Sequence, residues 1–186
     1  MKGATDMRLT EKITWKTALI FTAIFGALYY LINFSAVGGA GLLTITGGPH
    51  ILDLEFGYSV TKAHDMLTAL GAEGRAYYLG KIVPIDFPFP VSYMLFFAGW
   101  TALLLKRTGL KNAAKYLLLV PVLAMLCDFV ENTGIIVMLK NYPVLPGWAV
   151  GMSSIAGILK SILIVCNIAA VLILAVAWMI KKRRKT

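Results

Sequence analysis

Charged residues are scarce in this sequence of 186 residues, at 15%, whereas hydrophobic residues make up 59%. Acidic residues are scarcest, with 9 Asp and Glu against 18 Lys and Arg. This balance does not describe an ordinary soluble domain. The formal net charge of +9 would suggest a nucleic-acid partner in a soluble protein, but here Lys and Arg lie beside long apolar runs. The sequence therefore predicts no nucleic-acid partner.

Cysteine and the common catalytic motifs are also rare or missing. Cys127 and Cys166 are the only cysteines, and both lie inside apolar runs, so no disulfide is available to an exported loop. The sequence lacks a Gly-rich phosphate loop, a CxxC pair, HExxH and GxSxG. The only histidines, His50 and His64, lack the spacing of a metal motif. We therefore predict no cofactor, and for the histidines a surface role rather than a metal site.

Long apolar runs are what the sequence has in abundance. A hydrocarbon core of roughly 30 Å requires about 20 helical residues, because backbone amides in lipid must be satisfied within the segment. The sequence predicts an all-α integral membrane protein, a four-transmembrane-helix bundle forming one membrane domain. The predicted spans are residues 17–37, 87–105, 116–139 and 149–180, with an outside loop at 38–86, a cytosolic loop at 106–115 and a basic cytosolic tail at 181–186.

The orientation follows from where Lys and Arg collect. They cluster before the first span, in the loop 106–115 and in the tail 181–186. Positively charged flanks resist translocation, so both termini are predicted to be cytosolic, and the plasma membrane is the predicted location. The alternative is that the first run is a signal peptide cleaved after the small residues 35–40, but its length favours a bundle helix.

The outside loop is too long for a structureless connection, so we expect it to fold. Ser59 is placed to cap a helix that Gly71 would end, while glycines at 38–41 and 47–48 are expected to break helices. A second helical stretch is predicted from Ala72 to Pro84, where prolines force a bend or restart. Most of this loop is expected along the outer membrane surface, with these aromatics at headgroup level: Tyr77, Tyr78, Phe87 and Phe89.

Two acidic residues inside the third span carry the functional interpretation. Asp128 and Glu131 are three residues apart and so share one helix face. At ~1.5 Å per residue they lie about 18 and 22 Å above the cytosolic boundary, in the outer half of the membrane. A carboxylate at this depth costs several kcal/mol unless it is paired or hydrated. We therefore predict that both residues handle protons or positive charge, as the candidate catalytic pair.

Polar residues of the other spans fall near the same level or at the outer boundary, which predicts a polar cavity that opens outward. Arg75 in the loop would sit above it, where a guanidinium can bind an anionic group. The alternative is structural: Lys160 extends to the outer surface or pairs with Glu131, and the asparagines join helices. The candidate ligand-binding residues are Asn33, Arg75, Asp86, Tyr93, Asn132, Lys160 and Asn167.

These residues predict binding or conversion of a lipophilic or amphiphilic small molecule in an outer-leaflet polar cavity, with membrane lipids as partners. One alternative is a proton- or cation-coupled carrier that uses the same carboxylates. Another is a non-catalytic assembly partner, because small residues such as Gly26 and Gly157 permit close helix contact, and an oligomer is compatible with both.

The layout resembles known four-span families in topology. Buried acids with a basic tail are similar to the sterol isomerase and sigma-2 receptor superfamily, whose bundles enclose a lipophilic ligand. The resemblance implies a ligand cavity within the bundle and extends to no aligned motif. The long first outside loop resembles that of claudins, but the paired cysteines and tryptophan cluster of that loop are absent from residues 38–86.

Overall fold

The computed structural model describes residues 13–48, 51–110 and 114–184, without the side chains of residues 114 and 115. Within these ranges the chain is helical and contains no strand. The described residues do not include His50. They also leave out many of the basic residues used to predict the orientation, namely those in 1–12, 111–113 and 185–186.

Eight α-helices are described in these ranges, together with a 3-10 turn at Leu52–Leu54 and a π turn at Tyr78–Ile82. In chain order they are α1 (Trp15–Phe34), α2 (Gly39–Thr46), α3 (Val60–Ala69), α4 (Gly71–Tyr77), α5 (Val83–Asp86), α6 (Pro88–Thr108), α7 (Ala114–Asn141) and α8 (Gly147–Arg183).

Four helical segments of the described chain are long and apolar enough to cross a membrane, as the sequence predicted. They are Trp15–Thr46, Gly71–Thr108, Tyr116–Asn141 and Gly147–Arg183. The second begins well before residue 87. Pro84 is the second residue of α5 and Pro88 the first of α6, and a missing N–H in the first turn does not interrupt a helix. Phe87 between them keeps helical angles of φ −64° and ψ −44°.

The end of the first span differs from the sequence prediction. Helix α1 ends at Phe34, and α2 begins at Gly39, inside the stretch of glycines expected to break helices. Gly41 within α2 lies where a Cβ would be 2.0 Å from the Ala36 carbonyl oxygen and 2.2 Å from the Tyr77 hydroxyl. The glycine therefore allows α2 to pack closely against α4 rather than ending the helix.

The long helices form a bundle in which α6 is central. It packs against α1, α7 and α8, and α7 packs along α8. At one end the ring of Trp15 lies 5.6 Å from those of both Trp100 and Trp178, and Lys181 Nζ donates to the Thr108 carbonyl at 2.6 Å. The start of α1 and the ends of α6 and α8 thus meet at one end of the bundle, which we call the basic end.

The segment between α1 and α6 folds against the opposite end of the bundle. Ser59 caps α3, as predicted, by accepting a hydrogen bond from the Lys62 N–H at 3.2 Å. Tyr78 is only 1% exposed, so the expectation that it faces lipid headgroups is wrong. It belongs to an apolar cluster that joins this segment to α7 and α8, with Leu42, Leu52, Leu67, Met138 and Val150 among its members.

Tyr58 fixes this segment to α8. Its hydroxyl donates to Ser153 Oγ at 2.7 Å, and its backbone N–H donates to Ser154 Oγ at 2.8 Å. Ser153 Oγ in turn donates to the Glu131 carbonyl at 2.8 Å. Burial raises the pKa of the Tyr58 phenol well above its usual range, so the hydroxyl stays protonated and remains a donor.

Replacing Ser153 with alanine is expected to loosen this attachment. The change leaves the buried Tyr58 hydroxyl without its acceptor, which should destabilise the protein by roughly 1–2 kcal/mol. Hydrogen exchange measured by mass spectrometry should rise in residues 51–58. Ser92→Ala is the matched control, because Ser92 is also buried but donates within its own helix, to Phe89. Equal exchange in the two variants would contradict the attachment.

Candidate functional site

Asp128 and Glu131 lie on the face of α7 that points into the bundle. Their exposed fractions are 3% and 0%. Tyr93 of α6 donates to Asp128 Oδ2 at 3.0 Å, and Asn132 Nδ2 donates to Oδ1 at 3.3 Å. The predicted pair, with Tyr93 and Asn132, is therefore brought together, and two neutral donors fix the orientation of the Asp128 carboxylate.

Lys160 reaches this pair from α8. Its Nζ lies 2.5 Å from Glu131 Oε2 and 3.7 Å from Asp128 Oδ1, and its side chain is only 11% exposed. Of the two structural alternatives, pairing with Glu131 is the one observed, and Lys160 does not extend to the surface. No described group donates a hydrogen bond to the two carboxylate oxygens of Glu131 in normal geometry, so the Lys160 ammonium is what compensates this carboxylate.

Gly157 makes room for the ion pair. A Cβ at this position of α8 would lie 2.3 Å from Glu131 Oε1, which is closer than real carbon–oxygen contacts allow. The absence of a side chain therefore lets the Glu131 carboxylate lie directly against the α8 backbone.

Two further carboxylates face the same region. Asp86 of α5 is 6% exposed; it interacts electrostatically with Asp53 and Asp128, and Asn132 lies beside it. Asp53 lies on the 3-10 turn and accepts a hydrogen bond from the Tyr78 hydroxyl at 2.5 Å.

Asp53 and Tyr78 were missed by the sequence analysis, which assigned the loop to the surface. The signal that could have found Asp53 is its position inside the apolar run 51–54. A lone acid with apolar neighbours on both sides in a loop is unlike a solvated surface residue.

These side chains surround a cavity of about 550 Å³. We call it the polar cavity; its polar lining includes Asn33, Asp53, Asp86, Asp128 and Lys160. Three carboxylates thus face the cavity with one ammonium, and that ammonium is already paired with Glu131. In formal charges the cavity has an excess of acid, which suits a positively charged group or hydrogen-bond donors.

The remaining predicted residues differ in position. Asn33 lines the cavity, although its Nδ2 donates to the Tyr29 carbonyl. Asn167 is buried and donates to the Leu163 carbonyl of its own helix, and it is not part of the lining. Arg75 lies elsewhere: it donates to the Leu67 carbonyl at 2.8 Å, and its guanidinium sits 3.8 Å above the ring of Tyr142.

A second cavity of about 530 Å³ adjoins the polar cavity. The two share Tyr29 and Phe89, and the lining of the second is otherwise formed by apolar side chains and Tyr93. We call it the apolar cavity. A polar chamber beside an apolar one matches the two parts of an amphiphile, a head and a hydrocarbon chain.

Toward the basic end the interior formed by the described residues is mainly apolar, with the buried hydroxyl of Thr101 as an exception. Phe97 and Ala124 pack just beyond Tyr93, and Leu104, Leu105 and Leu174 form a further cluster. Within the part of the chain that the structure describes, no group of three or more His, Cys, Asp or Glu side chains is arranged to hold a metal ion.

Comparisons with protein-family models, with curated proteins and with solved structures found no match to this chain. The arrangement of its own residues is therefore the basis for a functional proposal.

Proposed function

We propose that this chain is an integral membrane protein that binds an amphiphilic molecule, with the polar head in the polar cavity and the hydrocarbon part in the apolar cavity. The observation that supports this proposal is the junction of the two cavities at Tyr29 and Phe89. A buried excess of acid next to an apolar chamber fits a molecule with both characters better than an ion or a purely apolar lipid.

The proposed orientation has four spans, both termini in the cytosol and the polar cavity in the outer leaflet of the plasma membrane. The basic end carries Lys106, Arg107 and Lys181, and the three clustered tryptophans lie beside them. Positive flanks favour the cytosolic side, and tryptophan favours the membrane interface. The polar cavity, at the other end of the bundle, would then face outward.

The residues divide into those that contact the head and those that position them. Asp53, Asp86 and Asp128 would contact a positively charged or hydrogen-bond-donating head. Tyr93 and Asn132 hold Asp128, and Lys160 pairs with Glu131 within the bundle. Arg75 and Asn167 are left without a role in binding, because neither lines the cavity.

The test is the binding of a fluorescent long-chain alkylamine, at low mole fraction, to the protein in lipid nanodiscs. Asp86→Asn and Asp128→Asn each replace a carboxyl acceptor with a neutral amide, so each should weaken binding about tenfold or more. Asp65→Asn is the matched control, because its side chain is 74% exposed on α3, and it should bind normally. An alkyl sulfate of equal chain length should bind poorly to all of these proteins.

The opposite pattern would overturn the proposal. Equal binding of amine and sulfate would remove the role assigned to the acidic excess. Unchanged binding in both cavity variants would show that the head does not reach these carboxylates. The circular dichroism spectrum and the Tm of each variant separate lost binding from lost folding.

A further inference from the structure

The bundle is open between α1 and α8. Helix α1 packs on α6, and α8 packs on α6 and α7, whereas α1 and α8 do not pack closely along their lengths and meet where Trp15 contacts Trp178. A third cavity, of about 330 Å³, lies in this gap near the basic end and is lined by apolar and aromatic side chains together with Thr22. It shares Phe96 and Val171 with the apolar cavity. Together these two cavities form a slot along the open side of the bundle.

Thr22 is the one hydroxyl-bearing residue that lines the third cavity, and its hydroxyl is already hydrogen-bonded. Thr22 Oγ1 donates to the Ala18 carbonyl at 2.9 Å and accepts from the Trp100 indole N–H at 2.9 Å. The surface that remains is hydrocarbon and aromatic, so only an apolar occupant fits it without leaving polar groups unpaired.

The length of the slot limits the length of the hydrocarbon chain that can fill it. Trp15 and Tyr29 lie at its two ends and are fourteen residues apart on α1, which is about 21 Å at ~1.5 Å per residue. At ~1.2 Å per extended backbone bond, this corresponds to a chain of about 17 carbons. One leaflet contributes only about 15 Å of hydrocarbon, so a chain that fills the slot passes the middle of the membrane.

We infer that the slot binds one long, extended hydrocarbon chain of the amphiphile whose head occupies the polar cavity, and that Ala175 sets the chain length. This inference rests on the proposed function. Ala175 lines the third cavity beside Trp178, so a large side chain there would fill the far part of the slot and leave the apolar cavity open. Continuity through Tyr29 and Phe89 links the chain to the head.

The experiment compares decylamine with octadecylamine, added at equal mole fraction to protein in nanodiscs and quantified by mass spectrometry after the protein is recovered. The wild-type protein should retain octadecylamine about fivefold or more over decylamine. Ala175→Trp should bring this ratio close to one while decylamine is retained as before. Val176→Trp is the matched control, because Val176 is the next residue of α8 and half exposed, and its ratio should equal that of the wild type.

Each outcome bears on one of the two proposals. The slot is overturned if the wild-type protein shows no chain-length preference, or if the Ala175→Trp variant keeps that preference. In either case, decylamine binding that depends on Asp128 would still support the polar cavity. Failure of both amines to bind overturns the proposed function itself. A parallel series with methyl-branched isoprenoid amines distinguishes a prenyl chain from a fatty chain, and a preference for either one supports the slot.

Discussion

Replacing Lys160 with methionine is expected to destabilise the protein by about 3–5 kcal/mol, which should appear as a large fall in Tm in nanodiscs or mild detergent. The change removes the ammonium that lies 2.5 Å from Glu131 and 3.7 Å from Asp128. The Glu131 carboxylate is fully buried and receives no other hydrogen bond from the described residues, so it would be left without a counter-charge. Methionine has nearly the same length, so little packing is lost.

Two further variants test this explanation. Lys140→Met removes an exposed lysine near the end of α7 and should change stability by no more than about 0.5 kcal/mol. Adding Glu131→Gln to Lys160→Met should recover much of the loss, because the unpaired carboxylate is then gone. If Lys160→Met unfolds at the same temperature as Lys140→Met, the ion pair has no part in holding α7 to α8.

Replacing Gly157 with alanine is the second change with a large expected effect. The new Cβ would lie 2.3 Å from Glu131 Oε1, so the carboxylate must move away from α8 and from Lys160. Overpacking of this kind costs up to about 3 kcal/mol, and it outweighs the higher helix propensity of alanine. We also expect alkylamine binding to fall about tenfold, because a displaced Glu131 leaves Lys160 free to neutralise Asp128.

Gly151 supplies the control on the same helix. A Cβ there meets nothing within 4 Å, so Gly151→Ala should keep binding and raise stability by about 0.5–1 kcal/mol. Thermal unfolding and the fluorescent amine titration check both variants. The packing argument fails if the two alanine substitutions have the same effect on Tm and on binding.

Much of the central site could be predicted from the sequence. Asp128 and Glu131 stand out because acids are rare in such apolar runs, and their spacing fixes them on one face of a helix that is long and apolar enough to span a membrane. Helical rise then places Tyr93 at the same level, and the structure shows its hydroxyl on Asp128. These predictions depend only on the geometry of one straight helix at a time.

The outer part of the site could not be predicted in the same way. Asp53, Tyr78 and Arg75 lie in the connection between α1 and α6, whose path is decided by tertiary packing rather than by helical rise. Asp53 is held by its fully buried neighbour Leu52 and by the Tyr78 hydroxyl, while Arg75 is held by the Leu67 carbonyl and Tyr142. A rule that treats the whole loop as membrane surface cannot separate these two cases.

Helix periodicity has a similar limit for Asn167. It lies seven residues after Lys160, so the two share a face of α8, and Asn167 is indeed buried. Its amide nevertheless donates to the Leu163 carbonyl of the same helix. Sharing a face fixes the direction of the Cα–Cβ bond, but not the partner that a side chain chooses.

The attachment of Tyr58 has a consequence for how a molecule could reach and leave the bundle interior. Ser153 Oγ bridges the Tyr58 hydroxyl and the Glu131 carbonyl. Moving the segment between α1 and α6 away from the bundle would therefore break hydrogen bonds that also hold α7 in place. Helices α1 and α8 do not pack closely along most of the gap between them. If the chain binds an amphiphile in a membrane, as proposed, exchange with the surrounding lipid would break fewer bonds than exchange with the aqueous phase, and the expected route is sideways.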